Sequence, residues 1–195
     1  MNDVRYYVAL IILMSLAPAV SLWFLIHPFG AFWRSLSPWI TYTVLGFVTV
    51  ALMAPAFVFR RQLLAVDFGT SYLTMALGVV AAVMGSVIAL KRKRHLTFKI
   101  LSGVPQVSAN EYPGRLLTEG IYSRLRHPRY VEVVLWVLGY ALVANYPSLY
   151  AAAVLTPPAL LLIVCLEERE LEERFGEDWR AYKARVPRFV PRFRN

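Results

Sequence analysis

The stretch that decides the fold is YVEVVLWVLGYALVANYPSLYAAAVLTPPALLLIVCL, residues 130–166. Residues 130–145 predict an apolar helix of about 24 Å, and residues 149–166 predict a second of about 27 Å, at about 1.5 Å per residue. The intervening NYPS should end the first helix, because proline with polar neighbours favours a turn. Pro157 and Pro158 are expected to kink the second helix. Two nearly equal helices joined by a tight turn must return the chain to the level at which it began.

The hairpin brings two charged motifs to the same membrane face. YSRLRHPRY, residues 122–130, precedes the first helix, and LEERELEERFGEDW, residues 166–179, follows the second. If the second helix ended at Leu166, the negative end of its dipole would oppose Glu167 and Glu168, and cationic partners would be needed unless the helix continues. The sequence therefore predicts a pocket of mixed charge at the membrane surface.

The composition is that of a membrane protein. The 195 residues are 58% hydrophobic and only 17% charged, and the mean hydropathy of +0.51 is unusual for a soluble domain. Three further apolar runs, at about 4–26, 38–59 and 68–90, are each long enough to cross a bilayer core, which needs about 20 helical residues. Together with the hairpin they predict an all-α polytopic bundle of about five transmembrane helices. We expect a single integral membrane domain over residues 1–195, with three N-terminal spans followed by a ligand-binding part from residue 91.

The distribution of basic residues predicts the orientation of the bundle. The net charge is +9, and only four of the 21 lysines and arginines precede residue 91. The positive-inside rule therefore places the remainder on the cytoplasmic face and the N-terminus outside, in a bacterial or archaeal inner membrane. Anionic membrane lipids fit this charge better than nucleic acid, because the basic residues flank apolar runs. A lone cysteine, Cys165, excludes an internal disulfide and a multi-cysteine metal site, so no metal is expected.

An amphipathic pattern follows the hairpin. Apolar residues recur at steps of four, four, three and four, which is the spacing of one helix face: Leu171, Phe175, Trp179, Tyr182 and Val186. Such a helix would lie on the bilayer or cap the bundle, and the same face would serve as a lid. Glu170 and Arg174 are predicted to form an i,i+4 ion pair.

The two charged motifs, in this order and separated by a helical hairpin, resemble those of the isoprenylcysteine carboxyl methyltransferase and phospholipid methyltransferase family of membrane enzymes. The matching residues are Gly120-Ile121-Tyr122, Arg126-His127-Pro128-Arg129-Tyr130, Glu167-Glu168 with Leu171, Phe175-Gly176, Tyr182 and Arg185-Val186-Pro187. The resemblance implies methyl transfer from S-adenosylmethionine, in a cytoplasmic pocket that is roofed by the C-terminal segment and open sideways to lipid. The implied acceptor is lipophilic: a prenylcysteine-like carboxylate, a phospholipid, or another small lipid amine or hydroxyl.

The resemblance also implies which residues contact the cofactor. They are Gly114, Arg115, Leu116, Leu117, Tyr122, His127, Pro128, Arg129, Tyr130 and Glu167. These residue types suit the ligand, because a carboxylate needs Arg or His donors, while an amino group and ribose hydroxyls need acceptors. Arg124, Arg126 and Arg129 are alternatively lipid anchors, and Tyr122 and Tyr130 alternatively belong to the interfacial aromatic belt.

Four residues are candidates for catalysis or substrate contact. Arg126 and Glu168 are the candidate catalytic residues, with Glu168 as the base for an amine or hydroxyl acceptor. Ile163 is a candidate substrate contact, because an arginine at this position is associated with substrate in prenylcysteine-methylating relatives. Glu132 is another, since a carboxylate within a span is costly and faces a cavity or a partner; pairing with Arg129 is the alternative.

Two other functions stay open. Sterol-reductase-type membrane proteins share a similar C-terminal architecture and use NADPH, so a membrane oxidoreductase is one alternative. A non-catalytic protein that binds anionic lipid through its arginines is the other. The oligomeric state is not indicated by the sequence.

Overall fold

The part of the chain that the computed structural model describes, residues 2–26, 28–93 and 115–191, contains helices and no strand. The α-helices in this part are α1 (Asn2–Ile26), α2 (Gly30–Ser35), α3 (Pro38–Val58), α4 (Arg60–Leu63), α5 (Tyr72–Lys93), α6 (Pro128–Ala144) and α7 (Pro147–Arg185), and a 3₁₀ turn occupies Gly120–Ser123. The predicted all-α class is confirmed.

The long helices are those of an integral membrane protein. Among the described residues, α1, α3, α5 and α7 are long and apolar enough to cross a bilayer. Helix α6, with 17 residues, spans about 25 Å and forms the first arm of the predicted hairpin. It ends where NYPS predicts: Asn145 adopts the left-handed conformation with φ 59° and ψ 46°, and its N–H donates to the Ala141 carbonyl.

Helix α7 continues past Leu166, which is the alternative that the amphipathic stripe suggested. It runs from the hairpin turn through the acidic motif to Arg185, and Pro157 and Pro158 keep helical backbone angles. The non-helical backbone angles inside α7 lie at Gly176, whose φ of 51° is accessible at low cost only to glycine. Glu167 and Glu168 are therefore inside a helix, and the opposition of their charge to a helix end does not arise.

Helix α6 is central, because it packs against α5, α7 and α1, while α3 packs on α1. The contact of α5 with α6 depends on glycine. A Cβ atom added to Gly78 would lie 2.6 Å from the Gly139 carbonyl oxygen, and one added to Gly85 would lie 2.7 Å from the Trp136 ring. Such close backbone approach is the usual way in which membrane helices associate.

A buried arginine ties three segments together at one end of the bundle. Arg5 of α1 pairs with Asp67 and donates to the Ala144 carbonyl at 3.0 Å and the Thr70 hydroxyl at 3.4 Å. The start of α1, the connection into α5 and the end of α6 therefore share one face. The end of α5 and the start of α6 lie at the other.

Gly78→Ala should lower the unfolding free energy by about 1–3 kcal/mol, because the new methyl group meets backbone atoms that cannot move without separating α5 from α6. Thermal unfolding in detergent micelles would measure the change. Gly46→Ala in α3 is the matched control, since a Cβ atom there has no neighbour within 4 Å. Equal destabilisation by both substitutions would contradict this account.

Candidate functional site

Three segments meet at the face where α6 begins. The Arg126 N–H donates to the Pro187 carbonyl at 2.9 Å, and the His127 N–H donates to the Arg188 carbonyl at 3.1 Å. The Tyr182 hydroxyl donates to the Tyr122 carbonyl at 2.7 Å. These bonds hold the end of α7 and the residues after it against the turn before α6. Side chains from the turn and from the segment after α7 contact Glu168, in the middle of α7.

Glu168 is the centre of this site. It is buried, and its carboxylate faces three cationic groups. His127 Nε2 lies 3.0 Å from Oε1, while Arg188 donates through Nε to Oε1 at 3.0 Å and through Nη2 to Oε2 at 2.7 Å. Arg126 Nη1 is an ion-pair contact at 3.0 Å from Oε1. A buried carboxylate is tolerated when its desolvation is offset in this way.

Glu167 completes a chain of contacts through the histidine. Its Oε2 atom accepts from the Tyr130 hydroxyl at 2.7 Å and lies 3.5 Å from His127 Nδ1. Both ring nitrogens of His127 thus face carboxylate oxygens, and only the imidazolium form has a donor on each. Burial alone would lower the pKa of His127, but hydrogen bonds and charge from Glu167 and Glu168 outweigh it and raise the pKa above its ordinary value.

The pKa values of neighbouring groups are also shifted. Burial lowers the pKa of Arg126, although the charge of Glu168 opposes the shift. The hydrogen bond to Glu168 raises the pKa of Arg188. Burial raises the pKa of Tyr122 to about 12, and charges on Arg92, Glu167, Arg129 and Glu132 also act on it. The Tyr122 phenol therefore keeps its proton and remains a donor.

The amphipathic stripe closes the site from one side. Trp179, Tyr182 and Val186 form a buried cluster, against which Leu116, Leu171 and Phe175 pack. The stripe therefore contacts protein, as expected for a helix that caps the bundle. The Arg126 guanidinium lies over the Trp179 ring at 5.7 Å from its centroid. Among the residues that the structure describes, Arg126 Nε and Trp179 Nε1 are buried without a hydrogen-bond partner.

The hairpin brings several predicted site residues together. Tyr130 contacts Glu167 and His127 contacts Glu168 across the two arms, which confirms that both motifs lie at one level. Pro128 is buried at the first turn of α6. The Arg129 guanidinium stacks over the Trp23 ring at 4.6 Å, which joins α1 to the site.

The other predicted cofactor residues are more dispersed. Gly114 lies outside the described residues. Arg115 is exposed and pairs with Glu119 at 2.7 Å, whereas Leu116 packs in the Trp179 cluster. Leu117 is half-buried. The predicted pair of Glu170 with Arg174 is present, at 3.0 Å.

Glu132 and Ile163 both lie in the interior of the protein. Glu132 is buried and pairs with Arg92, through Nε at 2.9 Å and Nη2 at 3.1 Å, so the expected alternative partner Arg129 is wrong. Ile163 is completely buried and packs with Tyr130. It contributes to the protein core and has no exposed surface toward lipid.

Two arginines of the site were not predicted. Arg188 directly follows the matching residues Arg185-Val186-Pro187, and this position in the sequence could have indicated that it belongs to the site. Arg92 lies in a basic run that was used only to predict orientation. Lys91 and Lys93 beside it are exposed while Arg92 is buried, and a run of like charges does not reveal which member points inward.

Comparison with known proteins agrees with the motif evidence. The family model described as phospholipid methyltransferase matches residues 73–178, from the start of α5 to just beyond the Gly176 break. No solved structure matches the chain.

Three curated relatives match about two fifths of the chain. A protein-S-isoprenylcysteine O-methyltransferase of Schizosaccharomyces pombe is 32% identical over 77 residues, which are 39% of this chain and 33% of that protein. Protein-S-isoprenylcysteine O-methyltransferase B of Arabidopsis thaliana is 35% identical over 78 residues, 40% of each chain. Methanethiol S-methyltransferase 1 of Bradyrhizobium diazoefficiens is 32% identical over 79 residues, 40% of this chain and 27% of that protein. The matches thus span well under half of each relative.

Glu168→Gln should lower the unfolding free energy by about 3 kcal/mol, because it removes the negative charge that compensates His127, Arg126 and Arg188. Chemical unfolding in detergent would measure the loss. Glu177→Gln is the control, since Glu177 pairs with Arg180 on the surface and should leave the stability unchanged. A Glu168→Gln protein as stable as the control would show that the cluster does not hold the site together.

Stability should fall as pH rises through the folded-state pKa of His127. That pKa is raised above 6.5, so its stabilisation is complete below the unfolded value and disappears at higher pH. The midpoint of thermal unfolding, followed from pH 6.5 upward, should drop more steeply for the wild type than for His127→Gln, which has no titrating ring. Parallel pH profiles for the two proteins would contradict a charged His127.

Proposed function

We infer, since the chain belongs to the phospholipid methyltransferase family, that it transfers a methyl group from S-adenosylmethionine to a lipophilic acceptor. The observation that carries the proposal is the His127 imidazolium held between Glu167 and Glu168, beside two buried donors that have no partner among the described residues. The basic residues after α5 favour a cytoplasmic position for this site, with the N-terminus outside.

The residues present fit the proposed cofactor. Its carboxylate needs donors, and Arg126 Nε and Trp179 Nε1 are buried donors without partners among the described residues. Leaving such groups unpaired costs about 1–3 kcal/mol each, so a ligand that accepts from them gains affinity. Its amino group and sulfonium carry positive charge, for which the Glu167 carboxylate is the complement.

S-adenosylmethionine, when bound, supplies a methyl group on a positively charged sulfur. The protein's own contribution is positioning and exclusion of water. Trp179, Tyr182 and Val186 form an apolar cover on one side. The Tyr122 and Tyr130 phenols present oriented hydroxyl groups. The Tyr122 phenol is protonated because burial raises its pKa, and the Tyr130 phenol is protonated because it donates to Glu167.

Glu168 fits a positioning role better than the predicted role of general base. Both of its carboxylate oxygens accept from Arg188, and His127 and Arg126 face one of them. Strong charge-assisted contacts of this kind stabilise the ionised carboxylate and oppose proton uptake. An acceptor that is already ionised, or a soft nucleophile, would need no base from this residue.

The acceptor is proposed to be lipophilic because the site lies where α1, α6 and α7 meet. Tyr130, Ile163 and Val164 pack there with Trp23 and Phe24 of α1, so the wall of the site continues into the membrane-spanning part of the bundle. An apolar tail would remain among the helices while the polar end reaches the charged cluster. The names of the relatives range from isoprenylcysteine to methanethiol methyltransferases. The proposal therefore specifies a lipophilic acceptor and not the chemical group that is methylated.

Purified protein in detergent should bind S-adenosylmethionine saturably by calorimetry, and it should transfer radiolabelled methyl groups into a lipid extract. Glu167→Gln should weaken cofactor binding by about tenfold to a hundredfold, because one charge-assisted contact is lost while the amide oxygen still accepts from Tyr130. Glu173→Gln, an exposed neighbour on the same helix, is the matched control. Binding of NADPH in place of S-adenosylmethionine would overturn the proposal in favour of an oxidoreductase.

A further inference from the structure

A second buried ion pair lies beside the site and has no role in the proposed cofactor contacts. Arg92, at the last turn of α5, makes two hydrogen bonds to Glu132 of α6, and both side chains are almost fully buried, at 6% and 3% exposure. Replacing a buried pair of this kind with apolar residues is often neutral or stabilising. Stability alone therefore does not account for a charged pair inside an apolar bundle.

The pair leaves one end of the arginine unused. Glu132 accepts from Nε and Nη2, while Nη1 is buried and has no hydrogen-bond partner among the described residues. Nη1 of a guanidinium carries two N–H donors. Because the fork is planar and held rigidly by the carboxylate, these donors point in a fixed direction, and leaving them unpaired costs free energy.

The orientation of Arg92 is not that of a lipid anchor. A lysine or arginine at the end of a membrane helix normally extends its charge to the aqueous interface, with the stem along lipid. Lys91 and Lys93 are exposed in this manner, whereas Arg92 is directed into the protein. The charge of Arg92 thus occupies an interior position, unlike the charges of the two lysines beside it.

Tyr122 connects this pair to the His127 cluster. The charges of Arg92 and Glu132 act on its phenol together with those of Glu167 and Arg129. Its backbone is held by the hydrogen bond from Tyr182. The phenol keeps its proton and is a neutral donor within electrostatic reach of the guanidinium.

The charge balance of the combined region favours an anionic ligand. Among the described groups that pair around Glu168 or act on Tyr122, five are cationic and three are carboxylates: Arg92, Arg126, His127, Arg129 and Arg188 against Glu132, Glu167 and Glu168. The excess of positive charge is only partly screened in a buried site. An oxyanion entering beside Tyr122 would reduce the excess and satisfy Nη1.

We propose that Arg92, oriented by Glu132, binds an acidic oxygen at the polar end of an amphiphilic acceptor and so selects acidic over neutral lipids. The inference rests on the proposed methyl transfer for its biological meaning, but the binding itself is measurable without turnover. A carboxylate and a phosphate offer the same oxyanion chemistry. Either would accept from Nη1 while the apolar tail stays within the membrane.

The test compares three single-chain probes in detergent: laurate, dodecyl phosphate and dodecanol. At least one acidic probe should raise the midpoint of thermal unfolding of the wild type more than dodecanol does. A response to laurate alone identifies a carboxylate ligand, and a response to dodecyl phosphate alone identifies a phosphate. Equal shifts by all three probes would overturn the proposal.

Two paired variants separate specific binding from general charge. Arg92→Met/Glu132→Leu removes the pair without changing net charge or leaving a lone buried ion, and it should abolish the preference for acidic probes. Lys91→Met/Lys93→Met removes two exposed charges and should retain that preference. The proposal fails if the second variant loses the preference or the first keeps it.

Calorimetry with S-adenosylmethionine distinguishes this result from failure of the proposed function. The Arg92→Met/Glu132→Leu protein should bind the cofactor as the wild type does, which also shows that it is folded. A wild type that prefers acidic probes but does not bind S-adenosylmethionine would retain the Arg92 site and refute the methyltransferase proposal. Loss of cofactor binding in the variant alone would overturn the assignment of Arg92 to the acceptor.

Discussion

The site depends on one interaction, the compensation of the buried Glu168 carboxylate by His127, Arg126 and Arg188. The three cations come from the turn before α6 and from the segment after α7, which lie far apart in the sequence. A carboxylate left alone in this position would cost several kcal/mol, so the two segments are held together by the charge they share. The backbone hydrogen bonds between residues 126–127 and 187–188 join the same two segments.

Charge is organised differently at the two ends of the bundle. At the site, carboxylates face more cations than they neutralise, and Arg126 Nε and Trp179 Nε1 have no hydrogen-bond partner among the described residues. At the other end, Arg5 is fully engaged by Asp67, Thr70 and the Ala144 carbonyl and ties the helices together. Helices α5 and α6 pack closely through Gly78 and Gly139 between these two ends, and this packing places Arg92 of α5 beside Glu132 of α6.

Much of the site could be predicted because, in a helical hairpin, the number of residues in each arm determines how far along the helix axis a residue lies. The nearly equal arms predict that Tyr130 and Glu167 lie at one level, and their hydrogen bond confirms it. The i,i+4 pair of Glu170 with Arg174 follows from local spacing in the same way. Pro157 and Pro158 keep helical backbone angles, since a membrane helix tolerates a missing N–H, whereas Gly176 has non-helical angles with a positive φ.

The sequence by itself determined the all-helical membrane class, the hairpin and the pairing of a basic motif with an acidic one, because hydrophobic length and helical rise are local properties. Only the tertiary structure decided which carboxylate meets which cation. Glu132 pairs with Arg92 and not with Arg129, and Arg188 reaches Glu168, because these contacts depend on the rotation of each packed helix and on the path of the chain after Arg185. Spacing in the sequence specifies the position of a residue along the helix axis, whereas long-range packing specifies the direction in which its side chain points.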